Sequence, residues 1–191
     1  MKVFTIAAGA AVLVSALPFA ASAQEGKVAR GVYANIGYAD SRTRDLDLGT
    51  VFGRVGYRFS NWFGVEGEIA GGVNGDRVTH DVSPIGLPPA TFAARISSQE
   101  ALYGVGFWPV AANWDVIGRV GYGHTRAKIT QSGEIFFLMR SVDEDSWNYG
   151  VGAQYHWDGR NGVRADYTRQ EFNGRELDHA DVWSIAYSRR F

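Results

Sequence analysis

The end of the chain alternates apolar and polar residues one for one. Between Trp183 and Phe191, positions 183, 185, 187 and 191 are aromatic or apolar, whereas positions 184, 186, 188 and 190 are small or polar. The segment 147–157 follows the same rule without exception, with aromatic or apolar residues at every odd position and Gly, Asn, Gln or His at every even one. A period of two places the two sets on opposite faces of a β-strand. The pattern predicts an all-β protein whose strands have two unlike faces.

Tight polar turns and longer connections alternate along the chain. Short turn signals fall at 60–61, 111–113 and 158–161, and longer excursions occur near 43–46, 80–91, 131–135 and 174–178. Eight strands are predicted between them, at 30–42, 47–59, 63–79, 92–109, 113–130, 135–157, 162–174 and 179–191. An even number of strands with short turns at one end and long loops at the other is typical of an antiparallel, up-and-down transmembrane β-barrel.

The first 23 residues have the three parts of a secretory signal peptide. Lys2 supplies the charged region, an apolar stretch runs from Val3 to about Leu17, and Ala21-Ser22-Ala23 forms a small-residue cleavage site. This apolar stretch is shorter than the roughly 20 residues that a membrane-anchoring helix needs. We therefore expect residues 1–23 to be cleaved and residues 24–191 to form one outer-membrane barrel domain.

Composition narrows the possible partners and chemistry. Without Lys2 the chain has 18 basic and 20 acidic residues, so no basic excess indicates a nucleic-acid partner. Cysteine is absent, which excludes disulfides and a lipid-anchored amino terminus. Beyond the signal no run of 18 apolar residues occurs, so a membrane-spanning form of this chain is predicted to be a closed barrel.

Aromatic residues cluster near both ends of the predicted strands. In a strand tilted by about 40°, the ten steps from Trp147 to Trp157 climb about 25 Å, the height of the apolar band of an outer-membrane barrel. We expect a turn-side girdle of Phe59, Trp62, Phe63, Phe107, Trp114, Tyr155, Trp157 and Phe191, and a loop-side girdle of Tyr38, Trp147, Tyr149 and Trp183. The alternative is that these rings fill the core of a soluble secreted barrel.

The faces opposite the aromatics carry charged residues of both signs. Strand parity places four cations and four anions in the interior: Arg54, Arg58, Arg119, Arg164, Glu66, Glu68, Glu100 and Asp166. Asp115 points inward by the same rule, near a turn. Isolated buried ions are costly, so a balanced set predicts a hydrogen-bonded network. Because eight strands enclose just enough room for side chains, we expect a plugged barrel.

From about Arg30 to Phe191 the chain resembles the small porin-family barrels of the outer-membrane protein A type, including their adhesin-like and opacity-protein relatives. The alternation and the terminal aromatic Phe191 carry the resemblance, whereas Arg189 stands where those barrels usually have an apolar residue. The resemblance implies location in the outer membrane of a Gram-negative bacterium, contact with lipid and lipopolysaccharide, and recognition of Tyr187 and Phe191 by the barrel assembly machinery. It also implies a structural or adhesin-like role in which long loops contact an extracellular ligand.

A lipid A-modifying enzyme and a narrow solute channel are the competing functions. Barrels of the first kind carry His, Ser and an acid near the outer rim, and this chain has His179, Asp181 and Ser184 at the start of its last strand. Residues 179 and 181 share a face that 184 does not, and His124 lacks the His-x-Ser arrangement of the deacylases. The acidic run 143–145 is expected to be solvated, and weak bridging of divalent cations to lipopolysaccharide phosphates is the alternative. The sequence therefore predicts no catalytic residue, no metal site and no cofactor.

Five consecutive apolar residues, 135–139, lie beyond the aromatic girdle at Trp147. With Trp114 paired near Trp157, residues 135–142 would lie opposite 119–130, so the fifth and sixth predicted strands should continue as a protruding hairpin. Phe136 and Leu138 then become candidates for contact with a partner or with neighbouring lipid. Packing of this run against Phe92, Ile96 and Leu87 of the second long loop is the equally weighted alternative.

Deletion of Phe191 tests the assembly signal. We expect lower levels of the protein in the outer membrane and unfolded protein in the periplasm, because the terminal aromatic is what the assembly machinery would recognise. Heat-modifiability in gel electrophoresis measures the folded fraction. Unchanged levels of folded barrel in the deletion strain would contradict the assignment.

Overall fold

The computed structural model describes residues 30–43, 47–74, 76–80, 90–133, 136–174 and 179–191. The predicted signal peptide and most of the long connections lie outside these residues. The described ranges contain nine β-strands: β1 (Gly31–Arg42), β2 (Asp47–Arg58), β3 (Phe63–Asn74), β4 (Asp76–His80), β5 (Ala90–Ala111), β6 (Trp114–Gly133), β7 (Phe136–His156), β8 (Asn161–Phe172) and β9 (His179–Arg190). In this part of the chain, no helix has the length and apolar character needed to cross a membrane.

The strands form one closed, antiparallel, up-and-down sheet. Apart from β3 and β4, strands that are consecutive in sequence pair with each other, and β1 pairs with β9 from Tyr33↔Arg190 to Arg42↔Asp181. β3 and β4 both pair with β5, so together they occupy one position in the barrel. The predicted eight-stranded barrel is confirmed, and the predicted strand ends differ from the observed ones by at most three residues.

The outer wall is apolar between two bands of aromatic residues. Exposed aliphatic side chains cover its middle, among them Val51, Val55, Ile69, Leu102, Val120, Val151 and Ile185. On the turn side the Trp114 and Tyr155 rings lie 5.0 Å apart, and on the loop side the Tyr122 and Trp147 rings lie 5.4 Å apart. This distribution is that of a membrane-facing surface.

Strand β5 presents Tyr103 and Phe107 to the interior, and its orientation overturns two expectations. Phe107 is buried in the lumen and not in the turn-side girdle, where Trp108 is exposed in its place. Glu100 was expected inside, but it is exposed and pairs with the outward Ile69. Both faces of β5 contain apolar residues, so alternation alone does not determine its orientation. The pairing of β5 with β3 fixes it, because directly paired residues share a face.

Three strands extend well past the loop-side girdle. β5, β6 and β7 have 22, 20 and 21 residues, whereas β1, β2, β8 and β9 have 12 each. From Tyr122 to Gly133 the strand β6 makes 11 further steps (133 minus 122), which is a rise of about 27 Å. The predicted protruding hairpin is confirmed, with a different register: Phe136–Val142 lies opposite Ala127–Gly133. We use the term distal sheet for β4 together with the parts of β5, β6 and β7 that lie beyond the Tyr122–Trp147 pair of the loop-side girdle.

The turn between β7 and β8 is closed by Asp158. Its carboxylate accepts hydrogen bonds from the backbone N–H groups of Asn161 and Arg160 and from the Asn161 side chain. These hydrogen bonds lower the pKa of Asp158 to about 2. Gly159 adopts a φ of 75°, in the left-handed region that glycine tolerates best.

Two glycines of β2 provide a matched test of the inward and outward faces. A methyl group on Gly56 would collide with the Tyr33 ring inside the lumen, whereas one on Gly53 would meet nothing within 4 Å. We expect Gly56→Ala to lower the free energy of unfolding by about 1–3 kcal/mol through overpacking. Gly53→Ala should leave it unchanged or slightly higher. Urea unfolding in detergent measures both, and equal effects would contradict the assigned faces.

Candidate functional site

Six buried charged side chains from four strands meet in the middle of the lumen. They are Arg54, Glu66, Glu68, Arg119, Arg164 and Asp166, three cations and three anions, and we call them the central network. All are inward residues of β2, β3, β6 and β8 by the two-residue period, so the barrel wall brings together groups up to 112 positions apart.

Every member of the central network contacts an opposite charge. Arg54 binds Glu68 through Nε, and its second nitrogen donates to Asp166 Oδ2 at 2.7 Å. Arg164 binds Glu66 and also donates from Nε to Asp166 Oδ1 at 2.9 Å. Two arginines therefore share one aspartate, and the contacts are charge-assisted hydrogen bonds of the strong class.

Arg119 joins the network from the opposite wall. It donates to Glu68 Oε2 at 3.2 Å and lies 3.9 Å from Glu66 Oε2. Its remaining nitrogens donate to the Thr168 hydroxyl at 3.1 and 2.8 Å. Arg119 thus links both glutamates of β3 to β6 and β8 across the lumen.

Aromatic rings inside the barrel support three of the arginines. The guanidinium carbons of Arg54, Arg58 and Arg119 lie 4.1, 4.2 and 4.2 Å from the ring centres of Phe52, Phe107 and Tyr103, respectively. This is cation–π geometry, which is stronger where water is excluded. Phe107 and Tyr103 of β5 therefore fill space in the lumen and hold the cations in place. From the sequence, Phe107 was expected in the girdle and Tyr103 was not assigned to a face.

A second group of charges lies at the turn end of the lumen. Asp115 accepts hydrogen bonds from Arg58 at 3.2 Å, from Arg190 at 2.7 Å and from the Gln154 amide at 2.7 Å. Arg58 is therefore paired with Asp115 and not with the glutamates. Arg190 was missed in the sequence, although its even position on β9 is inward. The adjacent cavity, lined by Tyr33, Arg58 and Arg190, measures about 10 Å³, room for one water molecule.

The loop-side half of the lumen is lined mainly by neutral polar groups. Ser146 donates to Asn148 Oδ1 at 2.8 Å, and the Asn148 amide donates to the Tyr103 hydroxyl at 3.1 Å. Asn148 and Ser146 are fully buried. Polar groups thus occur along the whole interior, with ion pairs in the middle and at the turn end, and apolar clusters such as that of Val105, Phe107 and Ile117 pack beside them.

The acidic run 143–145 is divided between the two faces of β7. Asp143 lies outside, 3.5 Å from Arg126, and Asp145 lies outside, with its carboxylate 2.8 Å from Nδ1 of His124. The hydrogen bond from His124 lowers the pKa of Asp145. Glu144 points into the lumen and is buried. Among the described residues, no group of three or more His, Cys, Asp or Glu side chains is placed to hold a metal ion.

The residues considered for catalysis do not converge. Ser184 is a buried lumen residue that accepts a hydrogen bond from Arg54 at 3.3 Å. Asp181 lies nearer the outer surface, where the Tyr167 hydroxyl and Arg169 bind it at 2.7 and 3.4 Å. The two residues point to different sides of the wall, as their parity predicts.

The two assembly-signal candidates lie on the outer wall at the turn end. Tyr187 and Phe191 are exposed, and Arg189 lies over the Phe191 ring, with its guanidinium carbon 5.6 Å from the ring centre. The Phe191 amide donates to the Val32 carbonyl at 3.0 Å, which continues the pairing of β9 with β1. The loop candidates Phe136 and Leu138 pair with Gly133 and Gln131 in the distal sheet. Their side chains, and those of Phe92 and Leu87, lie outside the described residues.

Solved structures of bacterial outer-membrane barrels resemble this one. Ail, the attachment invasion locus protein of Yersinia pestis, is 22% identical with a TM-score of 0.57, covering 85% of this chain and 100% of that one. A major outer-membrane protein of Thermus thermophilus is 9% identical with a TM-score of 0.55, covering 84% and 99%. The N-terminal barrel domain of Pseudomonas aeruginosa OprF is 12% identical with a TM-score of 0.51, covering 83% and 98%. At these identities the likeness concerns the fold.

No curated protein sequence matches the chain significantly. The family profile described as "Outer membrane protein beta-barrel domain" matches residues 6–191, nearly the whole chain. Together with the closed eight-stranded barrel, its apolar outer wall and its aromatic girdles, this match shows that the chain belongs to the outer-membrane protein β-barrel domain family.

Proposed function

We propose that this protein is an exported, plugged barrel of the Gram-negative outer membrane that presents the distal sheet to a partner outside the cell. The observation that carries the proposal is the length of β5, β6 and β7, which continue about 27 Å past the loop-side girdle while four other strands have only 12 residues. A barrel needs no such extension to cross a bilayer, because about 9–11 residues per strand suffice.

Among the described residues, the distal sheet ends at β7. β8 pairs with β7 from Ser146 toward the turn end, and the Asn173 amide reaches the Asp145 carbonyl. From Phe136 to Glu144, β7 has β6 as its paired neighbour on one side and no paired neighbour on the other among the described residues. Such an edge can add a strand from a partner, with main-chain hydrogen bonds giving affinity.

The central network supports the plug. Its side chains span the lumen from β2 and β3 to β6 and β8, and each is hydrogen-bonded to at least one other. Opening a path for solutes would separate buried ion pairs, which costs several kcal/mol for each charge left unpaired. A narrow channel is the alternative, and it requires this network to rearrange.

The proposal gives the chain no catalytic role. The separation of Ser184 from Asp181, and the inward direction of Thr125 beside the outward His124, leave the rim without an assembled nucleophile, base and acid among the described residues. Lipid A modification remains the alternative function, and a lipid A mass spectrum of a deletion strain tests it. Export through cleavage after residue 23, and recognition of Tyr187 and Phe191 by the assembly machinery, complete the proposal.

The fold relative Ail was solved with sucrose octasulfate, a heparin analogue. That ligand is a property of the Ail structure. At 22% identity the comparison supports a common barrel fold but not a common ligand. The proposal therefore rests on the distal sheet of this chain and names no ligand.

Replacing Arg119 with Met tests the plug. The substitution keeps the aliphatic stem but leaves Glu66 and Glu68 with one cationic partner each. We expect the free energy of unfolding to fall by about 3–5 kcal/mol, the cost of breaking a dry buried ion pair. Arg126→Met removes an exposed arginine of the same strand and should have an effect below about 1 kcal/mol. Equal urea midpoints for wild type and Arg119→Met would show a hydrated, loose lumen.

Replacing Phe136 and Leu138 with Ser tests the distal sheet as a contact surface. We expect the double variant to keep its urea midpoint and lose surface adhesion or self-association, because the substitutions remove two apolar side chains from β7 in the distal sheet. Gln131→Ser, at the position paired with Leu138, is the control and should preserve both properties. Loss of stability with adhesion intact would show that the run packs internally, and the contact proposal would fail.

A further inference from the structure

Exposed arginines of the turn-side rim lie in one sector of the barrel. The turns 59–62 and 112–113 contain no charged residue. Where β8, β9 and β1 meet, the described residues include Arg160 in the turn before β8, Arg189 near the end of β9 and Arg30 directly before β1. All three side chains are exposed. We call them the rim arginines.

No carboxylate of the described residues forms an ion pair with a rim arginine. The acid in the same turn is Asp158, whose carboxylate accepts hydrogen bonds from the backbone N–H groups of Arg160 and Asn161 and from the Asn161 side chain. Three other exposed or half-buried arginines of the outer wall each pair with an acid: Arg42, Arg126 and Arg169. The rim arginines therefore leave this sector with positive charge that the neighbouring side chains do not pair.

Arg189 is directed toward the turn end. Its guanidinium carbon lies 5.6 Å from the centre of the Phe191 ring, and Phe191 is two residues nearer the turns on the same outward face. An arginine stacked on an aromatic ring uses the face of its guanidinium, and the N–H donors around the edge stay available. The side chain thus reaches from the apolar wall toward the membrane surface with its donors free.

The backbone places Arg160 beside Arg189. Asn161 is the direct partner of Arg189 in the β8–β9 pairing, and the Arg190 amide donates to the Arg160 carbonyl at 2.8 Å. Neighbouring strands lie about 4.8 Å apart, so two long side chains at adjacent positions can contact the same ligand. The Asp158 hydrogen bonds fix the backbone of the turn that carries Arg160.

We propose that Arg160 and Arg189 bind the phosphate group of an anionic phospholipid in the membrane leaflet on the turn side. The Trp157 and Tyr187 rings, 6.3 Å apart, mark the aromatic girdle at this position, and such rings lie at the level of the lipid headgroups. Arginine matches phosphate oxygens with paired N–H donors. Arg30 adds positive charge to the same sector, which favours a lipid with net negative charge.

A protein partner fits this rim less well than a lipid. A stable protein contact needs about 800 Å² of surface on each side, and the short turns of this end offer little area beyond the membrane. A lipid phosphate needs only the two guanidinium groups, because its acyl chains are already in contact with the apolar wall. The site is independent of the distal sheet, which lies at the opposite end of the barrel.

Native mass spectrometry of the folded protein tests the site. The protein is released from micelles of an uncharged detergent that contain equal amounts of phosphatidylglycerol and phosphatidylcholine. We expect wild type to retain phosphatidylglycerol in preference, and Arg160→Gln and Arg189→Gln each to lower this preference about fivefold, the contribution of one arginine near an anionic lipid surface. Arg126→Gln removes an exposed arginine from the loop side of the outer wall and should keep the wild-type preference.

Thermal unfolding, measured by heat-modifiability, gives a second test. Phosphatidylglycerol in the micelles should raise the midpoint of wild type, because a ligand that binds the folded state stabilises it. Sodium phosphate alone should not raise it. An equal rise with sodium phosphate would overturn the assignment to a lipid.

Equal retention of both lipids by wild type, or the same preference in Arg160→Gln, Arg189→Gln and Arg126→Gln, would overturn the proposal. If Arg189→Gln fails to fold because it lies beside the candidate assembly signal, Arg160→Gln decides alone, since its side chain belongs to a turn. An unchanged preference for phosphatidylglycerol in Arg160→Gln would then overturn the proposal.

Discussion

Pairing of arginine with carboxylate inside a closed wall is the interaction on which this barrel depends. An eight-stranded barrel encloses a narrow interior, and here that interior holds six charged side chains in its central network. Any one of them alone would cost several kcal/mol to desolvate. Because Arg54, Arg119 and Arg164 contact Glu66, Glu68 and Asp166, four strands are tied together through the middle of the lumen. The wall brings the charges together, and their pairing holds opposite sides of the wall at a fixed separation.

The two ends of the lumen differ in chemistry, which gives the barrel a direction. At the turn end Asp115 binds Arg58, Arg190 and Gln154, and these three partners line a small cavity with room for about one water molecule. Toward the loops the charges give way to the neutral residues Ser146 and Asn148. Beyond these residues the strands β5, β6 and β7 continue past the barrel as the distal sheet. The Asp115 cluster thus lies at the turn end, and the distal sheet lies at the opposite end.

Most of the fold was predictable because lumen-facing and membrane-facing residues alternate along each strand of a membrane barrel. Phe191, Tyr187 and the run 147–157 were assigned to the correct face, and seven of the eight predicted interior charges are buried. Glu100 and Phe107 were misplaced because β5 is apolar on both faces, and only its pairing with β3 fixes its orientation. The acidic run 143–145 was expected to be solvated as a whole, and this is wrong for Glu144, which the two-residue period of β7 places on the buried face.

Partner choice within the lumen could not be predicted in the same way. Parity places Arg58 and Arg54 on one face of β2, but the stagger of the barrel directs Arg58 to Asp115 and Arg54 to Glu68 and Asp166. The inward positions of the Phe107 and Tyr103 rings could not be predicted either. An aromatic residue in a strand can belong to the girdle or to the lumen, and its sequence position does not distinguish the two. Register between strands that are distant in sequence is the missing information in both cases.

Planar-bilayer conductance of the reconstituted protein tests most directly whether the paired charges close the barrel. A lumen sealed by the central network and by the Asp115 cluster predicts that addition of the protein leaves the current at the level of the protein-free bilayer. Regular steps of a defined, stable conductance from the wild-type protein would contradict this account and show a continuous aqueous path through the interior.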